Sequence, residues 1–393
     1  MSGSLFAQRM SRVKPSAIME LVKTTAGGDY ISFASGLPDP CVFPQETLRT
    51  IADDVITRDG RAALQYGPAE GYAPLRACVA AMLTQRGLTM TPEQVLITSG
   101  SQQALDLVAR ALLDPHDQVV IESPSYLAGR QLFDSAEVNY QTVPMDAEGM
   151  VVDGLAAALN GAKLLYTLPN FQNPTGLTLS GERRVELARR VVEADVAIVE
   201  DDAYYDLCYD GERLSPVSSL AANPWAIYTG SFSKVIAPGI RVGYLCGSPE
   251  MIERLVCLKQ ITDLHTGSLT QRIAYEYCAR GFLEPGIQRL RDVYRARRDV
   301  MLAALQEHCP AVLTWTRPQG GMFIFCTLPV DRDATDLLRI ALARGVVFVP
   351  GAGFHADGGG RNTFRLNFVS EAEERIRSGI SILGDTIREW LEQ

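Results

Sequence analysis

In Ser231-Phe232-Ser233-Lys234 a lysine closely follows a run of apolar residues and sits among small hydroxyl side chains, with Pro238-Gly239 and then Arg241 further along. Most lysines are solvated surface charges. One held away from water binds its proton less tightly, so its amine can attack a carbonyl carbon and form a Schiff base. Arg241 can offer an anion two parallel N–H donors. Three more segments place polar residues where an apolar run stops. Ser99-Gly100-Ser101-Gln102-Gln103 precedes the helical pattern ALDLVARAL, where free backbone N–H groups and the helix dipole suit a phosphate; a plain serine N-cap fits the segment equally. Asp201, followed by Tyr204, can pair with a protonated ring nitrogen, or it can simply cap a turn. Asn173-Pro174-Thr175-Gly176 is a good turn sequence that requires no chemistry.

The elements that must position these residues are short apolar runs at 95–98, 118–122, 164–168, 196–200, 226–229 and 242–246. Most are too continuously apolar for a half-exposed sheet, which would alternate; a sheet buried on both faces requires this pattern. They alternate with helical patterns from about residue 46 to 285, the signature of a parallel sheet covered by helices. In such a sheet ligands bind at the strand ends, beside the N-termini of the following helices. From residue 286 the order changes to a charged helix over 288–308, GGMFIFCTL, a helix, VVFVP, FRLNF and a final amphipathic helix, a smaller α+β unit spanning 286–393. Residues 1–45 contain Pro15, Pro38, Pro40 and Pro44, which interrupt both helix and ladder, so they read as an arm that packs against the rest.

The chain has 393 residues, enough for at least two packed units, with 47% hydrophobic and 21% charged residues, an ordinary globular composition. A net charge of −9 argues against a dedicated nucleic-acid or anionic-membrane surface. The eight cysteines are scattered without a C-x-x-C pair, so neither a metal site nor a disulfide framework is indicated. The N-terminus lacks the continuous apolar stretch of a secretory signal and no run approaches a bilayer span, which points to the cytoplasm. The expected partners are small molecules.

Taken in order, Gly100-Ser101-Gln102, Tyr126, Asn173-Pro174-Thr175-Gly176, Asp201 with Tyr204, Ser231-x-Ser233-Lys234, Arg241 and Arg365 resemble the fold-type-I, class I/II aminotransferases that use pyridoxal 5'-phosphate (PLP). The resemblance covers nearly the whole chain. It is strongest to the 2-aminoadipate and kynurenine aminotransferase branch, through SGLPDPCVFP, LQYGPAEGYAPLR, TSGSQQALDL, GSFSKVIAPGIRVGY, DLHTGSLTQ, RPQGGMF and GGGRNTFRLNF. It implies a large domain over 46–285 with a mostly parallel seven-stranded sheet, and a homodimer with shared active sites. In residue terms it implies that Lys234 carries the cofactor and shuttles the substrate proton. Asp201 would pair with the pyridine nitrogen, Asn173 and Tyr204 would hold the ring oxygen, and Tyr126 would stack on the ring. Gly100, Ser101, Gln102, Ser231, Ser233 and Arg241 would surround the phosphate, joined by Tyr66 of a partner subunit. Arg365 would grip the substrate α-carboxylate, and Gly36 would line the pocket from the arm.

One departure concerns the substrate. Where that branch has an arginine on the arm, in a K-P-S-x-I-R-like sequence, this chain has Lys14-Pro15-Ser16-Ala17-Ile18-Met19. Without a buried cation there, acidic side chains lose a partner in that orientation, so neutral, aromatic or extended amino acids are expected in a ping-pong transamination. Met19 also reads as simple gap filling, and Arg130 is either a compensating cation or a solvated one. Elimination, cyclisation or oxidation on the same cofactor would share the first deprotonation. A PLP-dependent transcription regulator is a different class of answer, and would carry a DNA-binding domain ahead of the arm motif at residue 14.

Overall fold

In the computed structural model residues 5–13, 15, 21 and 28–392 are described. Strands β1 Ile31–Ser32, β2 Val95–Thr98, β3 Gln118–Ser123, β4 Asn139–Asp146, β5 Gly149–Met150, β6 Leu164–Thr167, β7 Ala197–Asp201, β8 Ala226–Ser231 and β9 Gly243–Cys246 are followed by β10 Thr314–Trp315, β11 Phe323–Thr327, β12 Val346–Val347, β13 Val349–Pro350 and β14 Thr363–Asn367. The central sheet has eight strands in the order β2-β9-β8-β7-β6-β3-β4-β5, rather than the seven expected. The extra strand is the two-residue β5, which folds back antiparallel on β4 at the edge. β3, β4, β6, β7 and β8 run parallel, while β9 is antiparallel to both of its neighbours.

Every residue of β2, β6, β7 and β9 is buried, as their apolar runs require. β4 is not legible in the sequence, because it lies near the sheet edge and mixes exposed with buried residues. Helices cover both faces, giving one apolar core around Leu105, Val108 and Ile121 and another around Val79, Ile97 and Tyr244.

The second sheet is antiparallel, β10-β11-β14-β13. Against it lie the helix Leu283–His308, which starts a turn and a half before the expected residue 288, and the C-terminal helix Glu373–Leu391. The arm joins this unit. β1 pairs with β12 in parallel register, Ile31 with Val346, and Phe33 and Ala34 are fully buried in the same core as Phe348 and Ile380. Among the described residues no helix is long and apolar enough to cross a membrane.

Candidate active site

The C-terminal ends of the parallel strands open into a cavity of about 390 Å³ between the two sheets. Its walls bring together Gly36, Ser101, Gln102, Tyr126, Asn173, Asp201, Tyr204, Ser231, Ser233, Lys234, Arg241 and Arg365, residues drawn from nearly the whole length of the chain. The sequence alone does not point to the apolar members, among them Leu37, Leu127 and Phe354.

Lys234 lies just past β8, and its Nζ donates to the Gly36 carbonyl at 3.1 Å. The side chain is walled in by protein while its tip still faces the cavity. Burial, together with the positive charges of Arg365 and Arg241, lowers its pKa to about 8. About a tenth of the amine is therefore unprotonated at pH 7 and about half at pH 8, far more than in an ordinary lysine, as a nucleophile or proton acceptor needs.

Asp201 ends β7 and is buried. Its Oδ2 accepts from Tyr166 Oη at 2.9 Å, and its Oδ1 is buried with no hydrogen-bond partner. Burial raises the carboxyl pKa to about 7 against the opposing Tyr166 hydrogen bond, with the Asp202 charge adding to the rise. An unpartnered buried carboxylate oxygen is costly unless a donor meets it. A protonated pyridine nitrogen is such a donor, so the site fits the cofactor at this point. Sequence reasoning misses Tyr166. It lies on β6 opposite Val199, on the face that Asp201 shares, and a tyrosine inside an apolar strand needs a partner for its hydroxyl.

The opposite end of the cavity suits an anion. Gly100 caps the helix Ser101–Leu112 with φ at 85°, a left-handed conformation, and a Cβ there would lie 2.4 Å from Arg241 Nη2. Only glycine leaves room for that guanidinium beside the helix N-terminus. Arg241 is itself left-handed and donates to the Ser99 carbonyl at 2.9 Å, while Ser231 Oγ donates to Ser233 Oγ at 2.8 Å. Four hydroxyl or guanidinium groups thus converge with the helix N-terminus, a donor set matched to a phosphate.

Arg365, on β14, is fully buried beneath the cavity's other wall. Its Nη1 donates to Asn173 Oδ1 and its Nη2 to the Ala34 carbonyl, both at 2.9 Å, and its Nε has no partner. The guanidinium lies 4.2 Å from the ring centroid of Phe323 and 5.3 Å from that of Phe354. Aromatic faces and carbonyl oxygens hold it as a cation, and among the described residues no carboxylate is in contact with it. Burial nevertheless lowers its pKa to about 10, so it stays charged at neutrality. A buried arginine with no ion-pair partner on a cavity wall is prepared for a carboxylate from outside.

The chain matches the family model "Aminotransferase class I and II" over residues 29–378. This chain belongs to that family. It is 40% identical over 396 residues to aromatic-amino-acid aminotransferase 1 of Thermococcus litoralis, covering 99% of this chain and 95% of the relative. It is 42% identical to 2-aminoadipate transaminase of Thermus thermophilus, covering 98% and 96%. Its structure superposes on a kynurenine aminotransferase of Pyrococcus horikoshii, solved in complex with PMP, with a TM-score of 0.95 at 41% identity over 99% and 98% of the chains. The enzyme is a fold-type-I aminotransferase and its cofactor is pyridoxal phosphate.

Two expected residues are not in the cavity wall. Gly100 stands behind Arg241 at the helix cap. Tyr66 is 75% exposed, against the edge of His265 at 5.7 Å, and borders a separate groove with Gln65, Tyr72 and Arg272. Met19 lies outside the described residues. Arg130 is half-buried in a neighbouring groove with Ser11, Arg12 and Asp134, separated from the cavity by the shared Leu127, and its Nη1 is buried without a hydrogen-bond partner.

Proposed function

We propose that this aminotransferase works by a ping-pong mechanism on L-amino acids with neutral, aromatic or extended side chains, with Lys234, Asp201 and Arg365 as its working centre. The carrying observation is the single cavity in which a buried amine, an unpartnered carboxylate oxygen and an unpaired buried guanidinium face one another.

Bound pyridoxal phosphate supplies an aldehyde carbon that condenses with amines and a ring that withdraws electrons. Ser101, Gln102, Ser231, Ser233 and Arg241 would bind the phosphate. Asp201 Oδ1 would accept from the ring nitrogen and keep it protonated, with Tyr166 holding the other carboxylate oxygen in place. Tyr126 would cover the ring, and Asn173 and Tyr204 would hold its oxygen. Arg365 fixes the substrate α-carboxylate by two parallel hydrogen bonds. Lys234, with its pKa near 8, takes the Cα proton and returns it as acid. The bound cofactor would carry the amino group between the two half-reactions, water releasing the first 2-oxo acid and the second 2-oxo acid taking the group up.

With Arg241 at the phosphate and Arg365 at the α-carboxylate, the cavity residues left for a side chain are mostly apolar and include Leu37, Leu127 and Phe354. They favour apolar and aromatic groups, and the kinship with aromatic-amino-acid and kynurenine aminotransferases supports the same substrates. We further propose a homodimer: exposed Leu64, Tyr66 and Leu264 lie together where the Gln65 carbonyl accepts from Ser268, an apolar surface suited to a second copy that brings Tyr66 to the partner's phosphate. Eight free cysteines suit a reducing cytoplasm.

The test is a donor panel added to purified holoenzyme. Amino acids with apolar or aromatic side chains should change the visible cofactor band and release their 2-oxo acids in equal amount. Mass spectra showing only eliminated, cyclised or oxidised products would replace transamination by another reaction on the same cofactor.

A further inference from the structure

Glu122, near the end of β3, is a carboxylate with 2% exposure that does not line the cavity. Each of its partners donates to it: Thr167 Oγ1 at 2.6 Å and the Leu168 N–H at 3.2 Å reach Oε1, and Gln172 Nε2 at 3.0 Å reaches Oε2. Gln172 is fully buried too, and uses every other polar atom of its side chain. Its Nε2 also donates to the Pro124 carbonyl at 2.8 Å, and its Oε1 accepts from Thr175 N at 3.0 Å and Thr175 Oγ1 at 2.8 Å. The pair therefore ties the loop after β3, which carries Tyr126, to the loop after β6, which carries Asn173. Asn173 in turn accepts from Arg365.

For folding alone this arrangement is expensive. Burial raises the Glu122 carboxyl pKa to about 7, with the three donors opposing the rise. Apolar side chains of similar volume would close the gap between the loops without burying a charge. What they could not do is fix the orientation of the Gln172 amide and hence the turn that presents Asn173.

We propose that Glu122 is a positioning residue: through Gln172 it holds the Asn173 turn so that Asn173 Oδ1 keeps the Arg365 guanidinium in register with the substrate α-carboxylate. This rests on the reading of Arg365 given above. Every substrate of either half-reaction has an α-carboxylate, so a disturbed clasp acts on all of them by the same factor whatever their side chain. The phosphate site and Asp201 do not hang on the clasp, so the cofactor keeps its two anchors and is weakened only at the contacts of Tyr126 and Asn173.

In Glu122→Gln, the new amide keeps Thr167 and Leu168 on its oxygen but turns N–H groups toward those of Gln172, which must shift. KM should rise about tenfold for amino acids and 2-oxo acids alike, as for one lost hydrogen bond to a charged group, with kcat changed less than about threefold. Gln172→Leu should do the same from the other side, and serves if Glu122→Gln does not fold. Combining Glu122→Gln with Gln172→Leu should raise KM no further than about the larger single effect, because both break the same pairing. Folded, cofactor-loaded single variants with unchanged KM would overturn the inference, as would a KM rise limited to some side chains or single effects that simply add in the double variant. Arg365→Lys, assayed alongside, separates the two claims: if it raises KM and Glu122→Gln does not, only the clasp is wrong, and if neither does, the α-carboxylate assignment fails first.

Discussion

One wall of the cavity takes Asp201, Ser231, Ser233, Lys234 and Arg241 from a continuous stretch of the central sheet and its strand ends. The other wall takes Gly36 and Leu37 from the arm, Phe354 from the short turn after β13, and Arg365 from the second sheet. The first wall is finished before substrate arrives: Tyr166 already aims Asp201, and the glycine cap already admits Arg241. The second holds its main cation on provisional partners, a side-chain amide and a backbone carbonyl. A cofactor that stays bound can be met by a fixed constellation, whereas substrates that alternate every turnover need a cation that exchanges partners at little cost.

Breaking the first wall should have the larger effects. Lys234→Ala removes both the proposed covalent hold and the proposed proton shuttle, and should lower kcat at least about 10⁴-fold in the donor half-reaction. Borohydride reduction of the parent followed by peptide mapping should label Lys234, and a label on another lysine would reassign the site. Asp201→Asn keeps the shape but removes the charge facing the ring nitrogen, and should lower kcat by about 10²–10³-fold, the scale of one preorganised electrostatic contact. Asp201 also predicts a pH effect. Burial raises its pKa from 3.8 to about 7, so the folded cofactor-free chain keeps a proton that the unfolded chain has lost. Stability of the cofactor-free enzyme should therefore fall as pH rises between about 4 and about 7 and level off above. Bound cofactor supplies the missing donor, so the gain in melting temperature on loading should be larger at pH about 8 than at about 5, and Asp201→Asn should flatten that difference.

The second wall should fail more gently. Arg365→Lys keeps the charge but loses the fork, and should raise KM for all substrates by about 10- to 100-fold with a smaller change in kcat, measured by steady-state kinetics with two donors of different side chain. Equal loss in kcat with unchanged KM would mean that Arg365 acts on the reacting atoms instead.

The same contrast governs what the sequence reveals. Lys234, Asp201 and the Ser99–Gln103 segment are legible because each follows an apolar strand, and strand ends are where an open parallel sheet binds ligands. The family resemblance adds Arg365 and Gly36, which local pattern could not, since their neighbourhood exists only after β1 pairs with β12 and β14 enters the second sheet. Phe354 and Leu127 look like core residues in sequence, and most of their surface is core; only the small remainder faces the cavity. Tyr166 and Glu122 are invisible for a related reason, because polar atoms inside apolar strands acquire meaning from the strand beside them. β4 and β5 escape notice because edge strands lack the apolar signature that marks the others.

The smallest effect should come from Arg130, which tests where the second wall ends. Its guanidinium lies beyond Leu127, in a groove that also holds Arg12 and the carboxylate of Asp134. A charge there acts on a substrate's distal end across an apolar side chain and beside an opposing acid, so its field is weakened without a hydrogen bond to compensate. Arg130→Met should therefore lower kcat/KM for a dicarboxylic 2-oxo acid only about two- to threefold relative to a monocarboxylic one, and leave neutral donors unchanged. A relative loss above about tenfold would mean that the guanidinium reaches the substrate directly, with its buried and unpartnered Nη1 as the donor. The specificity wall would then extend past Leu127, and dicarboxylic acids would join the substrates for which the pocket is built.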